Sequence, residues 1–253
     1  MAQATFRVWR GGGGSGSAGQ FVDYPTEVSE GMVVLDAVHR IQAEQAPDMA
    51  CRWNCKAGKC GSCSAEINGR PKLMCMTRLN TLDLTVPVTV EPMRAFPLIK
   101  DLVTDVSWNF RTKPGIKKFA PRKPDAADGT WRMSQRDIDR VQEFRKCIEC
   151  FLCQDVCHVI RDHAKHEGPE GGFIGPRYFV YSAALEMHPL DTGDRLKDLK
   201  NDHGLGYCNI TKCCTTVCPE HIHITDNAII PLKERVVDRF YDPVMKLLRV
   251  IRS

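Results

Sequence analysis

The sequence predicts an α+β protein in two parts, a small sheet packed on one helix followed by a mainly α-helical region. Three observations predict it. Strand-like alternation joined by Gly-rich and Asn-Gly turns fills roughly the first 100 residues; short helical segments punctuated by Cys, Gly and Pro follow residue 134; and a basic, proline-rich stretch lies between them. Residues 5–10, TFRVWR, alternate as a strand, GGGGSGSAG forms a loose connection, and QFVDYPTEV at 20–28 returns as its hairpin partner. The glycine run lacks the Gly-Lys-Ser/Thr ending of a phosphate loop, and no apolar helix opens after it. Apolar residues at 34, 35, 38 and 41 make 32–44 an amphipathic helix behind the hairpin. In SAEINGRPKLMC the Asn68-Gly69 pair marks a second hairpin, which carries Cys75 back toward the preceding loop, and LDLTVPVTVEPM adds a further strand. Residues 111–124, RTKPGIKKFAPRKP, hold six basic residues, three prolines and no acid, the composition of a solvated connector. Ser134 and Asp137 then open a helix through DIDRVQEFRKC with a capping box. The expected division is 1–110, a linker at 111–133, and 134–253.

Composition narrows the function. The 253 residues are 43% hydrophobic and 26% charged, enough for a real core and unlike a disordered, collagenous or coiled-coil chain. No run approaches the ~18 apolar residues of a membrane span. A net charge of +4, from 35 basic and 31 acidic residues intermixed, does not point to nucleic acid. The 13 cysteines are too dilute for a disulfide scaffold, and MAQATFRVWR carries no export signature, so clustered thiols are expected to bind metal in a reducing compartment.

The cysteines fall into three groups. Cys55-x4-Cys60-x2-Cys63, with Cys75 after eleven intervening residues, has in its first three members the spacing of a plant-type 2Fe-2S loop. Gly58 and Gly61 allow the chain to wrap closely, and Lys56 and Lys59 favour the more negative reduced state. A zinc site would favour paired C-x2-C units instead. Cys147-x2-Cys150-x2-Cys153-x3-Cys157 is the bacterial ferredoxin run, whose fourth thiolate crosses to another cluster. The same intervals recur as Cys208, Thr211, Cys214 and Cys218 before Pro219. Crossing gives a 4Fe-4S cluster on Cys147, Cys150, Cys153 and Cys218. It leaves Cys157, Cys208 and Cys214, three thiolates, for a 3Fe-4S cluster. Cys51 and Cys213 fall outside these series and read as small buried apolar residues. Several redox centres without a nucleotide fingerprint describe a conductor, with substrate chemistry on a partner.

This arrangement resembles the iron-sulfur subunit of succinate dehydrogenase and fumarate reductase, the succinate:quinone oxidoreductase family. The resemblance rests on the cysteine spacings at 55–75 and 208–219, FPLIKDLVTD at 96–105, CIEC at 147–150 and FIGP at 173–176. It implies a β-grasp plant-type 2Fe-2S ferredoxin domain and an α-helical two-cluster ferredoxin domain. It also implies that a flavoprotein subunit carrying FAD interconverts succinate and fumarate as in the tricarboxylic acid cycle. Electrons would pass through 2Fe-2S, 4Fe-4S and 3Fe-4S clusters to quinone at a membrane anchor, the complex lying peripherally on the cytoplasmic face of the plasma membrane. The sequence departs from the family's quinone-contact pattern. His158 stands where many members have Pro, Asp162 where they have Trp, and Asn209 where they have His. His158, Arg161, Asp162 and Asn209 are the candidate replacements, since a quinone oxygen taking up electrons and protons needs a donor; Lys233 stands where a family Lys aligns after one insertion. The remaining histidines match the usual zinc pattern only loosely, at 162–166, and DHAKHE reads instead as a polar helix face. YDPVMKLLRVIRS reads as a helix packing on a partner subunit or membrane surface. A fumarate reductase subunit running in reverse, a homologue with a soluble acceptor, and a colourless zinc-stabilised module are the competing readings.

Overall fold

The computed structural model describes residues 2–12, 19–166, 172–245 and 247, with the side chains of 163–166 outside that description. Most of the glycine-rich connection and of the C-terminal stretch, and the side chains of His163 and His166, therefore lie outside the described residues. Contacts divide the chain into two units. The first comprises Met1–Ser107, Ile148–Val156 and Val217–Pro219, and the second Trp108–Cys147, Cys157–Thr216 and Glu220–Ser253.

In the first unit, β1 (Ala2–Arg10) and β2 (Gln20–Val28) form the expected antiparallel hairpin, followed by α1 (Val34–Glu44), β3 (Ser64–Ile67), β4 (Arg70–Leu73) and β5 (Val88–Glu91). The sheet order is β2-β1-β5-β3-β4, with β5 parallel to β1 and antiparallel to β3. Central strands bury both ends of the alternation: Ala4, Phe6 and Val8 of β1 and Val88 and Val90 of β5 face inward. On the outward face Arg7 pairs Asp23 across the hairpin at 2.7 Å. Val34, Leu35, Ala37, Val38 and Ile41 of α1 cover the inner face. Asn68 and Gly69 turn β3 into β4 with φ of 49° and 71°, as a type I′ turn requires. A short pair the sequence did not reveal, β6 (Leu98–Lys100) and β7 (Val103–Thr104), places buried Asp101 at its turn. Its carboxylate accepts from Arg10 Nε (3.0 Å), Gly11 N (3.0 Å) and Ala50 N (2.8 Å), anchoring the chain just before the first cysteine loop.

The remaining helices are α2 (Ser107–Thr112), α3 (Gln135–Gln142), α4 (Leu152–Asp155), α5 (His158–His166), α6 (Gly175–Glu186), α7 (Leu196–Asn201), α8 (Cys213–Thr216) and α9 (Ile230–Phe240), the last entered through a wide π turn at Ile224–Ile229. Ser134 caps α3 by accepting from Asp137 N. Residues 111–133, expected as a free linker, belong instead to the second unit. Ile116 is buried, Thr192 N donates to Ala120 O and Arg122 N to Leu190 O, each at 2.8 Å. Arg195, 1% exposed, holds the same segment: Nε donates to Lys117 O and Nη2 to Lys118 O and to the Asp191 carboxylate (2.9 Å). Backbone pairing and one buried arginine override the solvated composition.

Candidate metal centres

The first cysteine loop leaves the sheet beside Asp101 and returns into β3. Its backbone turns toward sulfur: Ala57 N and Lys59 N donate to Cys55 Sγ, both at 3.3 Å, and Cys55 N and Ser62 N to Cys60 Sγ, both at 3.5 Å. Burial works against the Cys60 thiolate, yet these donors outweigh it and bring the thiol down to about 6. Cys63 and Cys75 are buried, and burial together with the neighbouring thiols pushes Cys63 up to about 12. Lys56, Gly58 and Gly61 take left-handed φ of 54°, 67° and 69°. At Gly61 a side chain is excluded, because a Cβ there would lie 2.6 Å from Cys150 Cα. Ser64 Oγ closes this contact by bonding both Gly61 O (2.8 Å) and Cys150 O (2.9 Å). Lys56 Nζ lies 5.0 Å from the Trp53 ring, which stands edge-on to His39.

The two later motifs repeat in backbone as well as in spacing. Left-handed residues fall at Glu149 and Phe151 (φ 55° and 62°) and again at Ile210 and Lys212 (φ 62° and 61°). Left-handed residues at these points turn successive N–H groups into a concavity suited to an anionic group. Cys150, Cys153, Cys157 and Cys214 are buried, while Cys147, Cys208, Cys213 and Cys218 are half-buried. Burial pushes Cys157 up to about 12 and Cys214 to about 11. Thiolates so placed need the positive charge of bound iron to offset their desolvation, whereas the donor-rich Cys60 does not resist ionising. The residues therefore fit iron-sulfur clusters on both counts, N–H donors aimed at Cys55 and Cys60 and thiols buried at Cys63, Cys157 and Cys214. Among the described residues no three His, Cys, Asp or Glu side chains are close enough to hold one metal ion; a polynuclear cluster spreads its thiolates over several irons.

Of the two cysteines outside the series, Cys51 packs against the sheet core and is pushed up to about 11 by burial. Cys213 opens α8 with its Sγ 3.3 Å from Thr211 Oγ1, an arrangement that the reading of a small buried apolar residue did not anticipate. Among the quinone candidates, α5 places His158, Arg161 and Asp162 on one face directly after Cys157. Asn209 follows Cys208, and Lys233 lies on α9. Spacing could not reveal the N–H donors to sulfur, the Ser64 bridge, or Thr225, whose hydroxyl lies 3.6 Å from Cys214 Sγ. These depend on turns and on residues distant in sequence.

Comparison with known proteins gives the same two parts. Residues 5–111 match a 2Fe-2S iron-sulfur cluster binding domain and residues 143–222 a 4Fe-4S dicluster domain. The chain is 34% identical over 208 residues to the fumarate reductase iron-sulfur subunit of Mycobacterium tuberculosis, covering 81% of this chain and 82% of that one. It is 27% identical over 216 residues to the succinate dehydrogenase iron-sulfur subunit of Paracoccus denitrificans, covering 83% and 78%. A chain of the Mycobacterium smegmatis Sdh1 complex, solved in the apo form, is 60% identical with a TM-score of 0.89, over 96% of this chain and 98% of that one. With its 2Fe-2S ferredoxin domain, its 4Fe-4S dicluster domain and these relatives, the chain belongs to the family of iron-sulfur subunits of succinate dehydrogenase and fumarate reductase.

Proposed function

We propose that this subunit works in a succinate dehydrogenase, carrying electrons from a flavoprotein subunit with FAD to quinone at a membrane anchor. Its ligands are Cys55, Cys60, Cys63 and Cys75 for 2Fe-2S, Cys147, Cys150, Cys153 and Cys218 for 4Fe-4S, and Cys157, Cys208 and Cys214 for 3Fe-4S. The observation that carries the reading is the doubled backbone motif, whose four positions are all cysteine at 147–157 and are broken by Thr211 at 208–218. When bound, the clusters supply one-electron sites that divide the electron pair released at a flavin.

The residues of this chain set the conditions for that transfer. N–H donors from Ala57, Lys59 and Ser62, together with Lys56, stabilise added negative charge at the first loop and raise its potential. Burial of Cys63, Cys157 and Cys214 keeps water from the sulfurs. His158, Arg161, Asp162, Asn209 and Lys233 are the groups that would orient a quinone oxygen and supply its protons. No helix among the described residues is long and apolar enough to cross a membrane. In this reading the complex attaches through the anchor, on the cytoplasmic face of the plasma membrane.

The 60% identity to the Sdh1 chain favours succinate oxidation; the 34% identity to a fumarate reductase subunit supports the reverse direction as the second reading. Anaerobic isolation of the tagged chain from detergent-solubilised membranes tests the assignment. A flavin-bearing subunit, a hydrophobic anchor and three distinct paramagnetic centres are expected, with succinate:quinone turnover exceeding quinol:fumarate turnover. The chain purifying with soluble partners only would overturn the quinone assignment, and the opposite ratio of rates would overturn the direction.

A further inference from the structure

The third cysteine group holds one sulfur, Cys213, that neither cluster assignment uses. Aligned on their first cysteines, residues 208–214 repeat 147–153 down to the left-handed positions, so Thr211 stands where Cys150 stands and occupies the missing ligand's place. Cys213 then corresponds to Leu152, and here the two runs part. Leu152 is 1% exposed in the core of the first unit, whereas Cys213 is half-buried and its Sγ lies 3.3 Å from the Thr211 hydroxyl. The sulfur of Cys213 thus lies directly beside the side chain that stands in the missing ligand's place. In sequence it lies between two of the three proposed ligands, Cys208 and Cys214. The loop is held in place, Lys212 Nζ pairing Asp226 at 2.7 Å and Thr216 N bonding Lys212 O. Moving the sulfur about its single side-chain torsion requires no refolding of the loop.

We propose that Cys213 is a fourth, exchangeable ligand of the third centre, allowing it to take up and release one ferrous iron. The proposal rests on the assignment of Cys157, Cys208 and Cys214 to a 3Fe-4S cluster. One electron from a low-potential donor such as dithionite brings the oxidised 3Fe-4S core, of charge +1, to neutral. Fe²⁺ then adds, the Cys213 thiol gives its proton to solvent, and a bond forms between its sulfur and the added iron, leaving a 4Fe-4S core of charge +2. A one-electron oxidant reverses the step: the Fe–S bond to Cys213 breaks, Fe²⁺ leaves, and the thiolate regains a proton. The third centre thereby responds to the supply of ferrous iron.

The test uses the detergent-solubilised complex as wild type, Cys213→Ala, and Cys51→Ala as a control for loss of a thiol elsewhere. Alanine is chosen because a serine oxygen can itself bind iron. Each protein is reduced with dithionite, incubated anaerobically with isotopically labelled ferrous iron, desalted, and reoxidised only to a potential at which a three-iron core passes from neutral to +1 while a four-iron core stays at +2. The readouts are the paramagnetic signal of the oxidised 3Fe-4S centre and the label retained. Wild type and Cys51→Ala should lose more than half of the signal and retain label, while Cys213→Ala keeps its signal and retains none. An unchanged signal in wild type, or equal loss in Cys213→Ala, overturns the proposal while leaving the three-thiolate assignment standing. A signal missing from wild type as isolated but present in Cys213→Ala supports it, the fourth iron being already resident. A signal missing from both overturns the three-thiolate assignment and the proposal with it.

Discussion

Replacing Gly61 by Ala probes the closest backbone approach at the first cysteine loop. Gly61 has φ of 69°, and an added Cβ would meet Cys150 at 2.6 Å from Cα, 2.9 Å from Cβ and 3.0 Å from N. The left-handed conformation costs an alanine about 1–2 kcal/mol. Overlap with backbone atoms, which cannot swing aside as a side-chain tip can, adds about 1–3 kcal/mol. Ser64 Oγ spans the same two segments, and stretching its bonds would weaken contacts worth about 1 kcal/mol each. Gly69 provides the reference, since its φ is 71° but nothing lies within 4 Å of a Cβ there. Gly69→Ala should therefore cost only the conformational strain. The assay is thermal unfolding of the whole complex, followed by the visible absorbance of the clusters and by the 2Fe-2S paramagnetic signal. Gly61→Ala should lower the transition by several degrees more than Gly69→Ala and should broaden or diminish the 2Fe-2S signal. Equal shifts in the two variants would show that the approach to Cys150 carries no stability and would refute the reasoning.

Four other outcomes follow from the same structure. Thr211→Cys in the Cys213→Ala background should supply a permanent fourth thiolate and abolish the oxidised 3Fe-4S signal; a persisting signal would show that residue 211 does not occupy the ligand position. Cys60→Ala should remove the 2Fe-2S signal and leave the other centres intact, which spectra of the reduced and oxidised complex would register. Arg195→Met should cost about 3–5 kcal/mol in denaturant unfolding, because it strands the buried Asp191 carboxylate and three carbonyls; a loss below about 1 kcal/mol would match a surface pair instead. Burial lowers the pKa of His203, outweighing Asp198 and Asp202. The unfolded chain therefore binds its proton first, and stability should fall as pH drops below ~6.5. His39 and His188 shift in the same direction, so His203→Gln should flatten the slope between about pH 7 and 5 without abolishing it. An unaltered slope would show that His203 titrates normally in the fold.

The sheet was legible because each strand carries its own alternation and Asn68-Gly69 names its own turn. The 2Fe-2S and 4Fe-4S domains were legible for a related reason, since a polynuclear cluster dictates local cysteine spacing. What escaped depends on partners remote along the chain. Arg195 reads as an ordinary charged residue until its bonds to Lys117 and Lys118 are seen, and that pairing turns the presumed linker into part of a folded unit. The β6 and β7 pair is too short to show a period, and Asp101 gains its role from Arg10 and Ala50 rather than from its neighbours. Cys213 looked like packing because its significance lies in Thr211, two residues away, and in a backbone repeat that spacing shows only in part.

The first unit is not continuous in sequence, and this governs the timing of its completion during synthesis. Its core includes Cys150 and Leu152, Val217 packs against it, and Asp155 accepts the amide of Ala95 at 3.0 Å. Residues Trp108–Cys147 must be translated before any of these arrive. At ~5–20 residues per second, those 40 residues delay closure by about 2–8 s, and the wait for Val217 is longer still. During that interval the nascent sheet and α1 can form, while Gly61 and its cysteine loop still lack the backbone of Cys150 against them. The loop is then reachable by whatever delivers iron and sulfide. Only with the later arrival of Cys150 can the close backbone contact at Gly61 form.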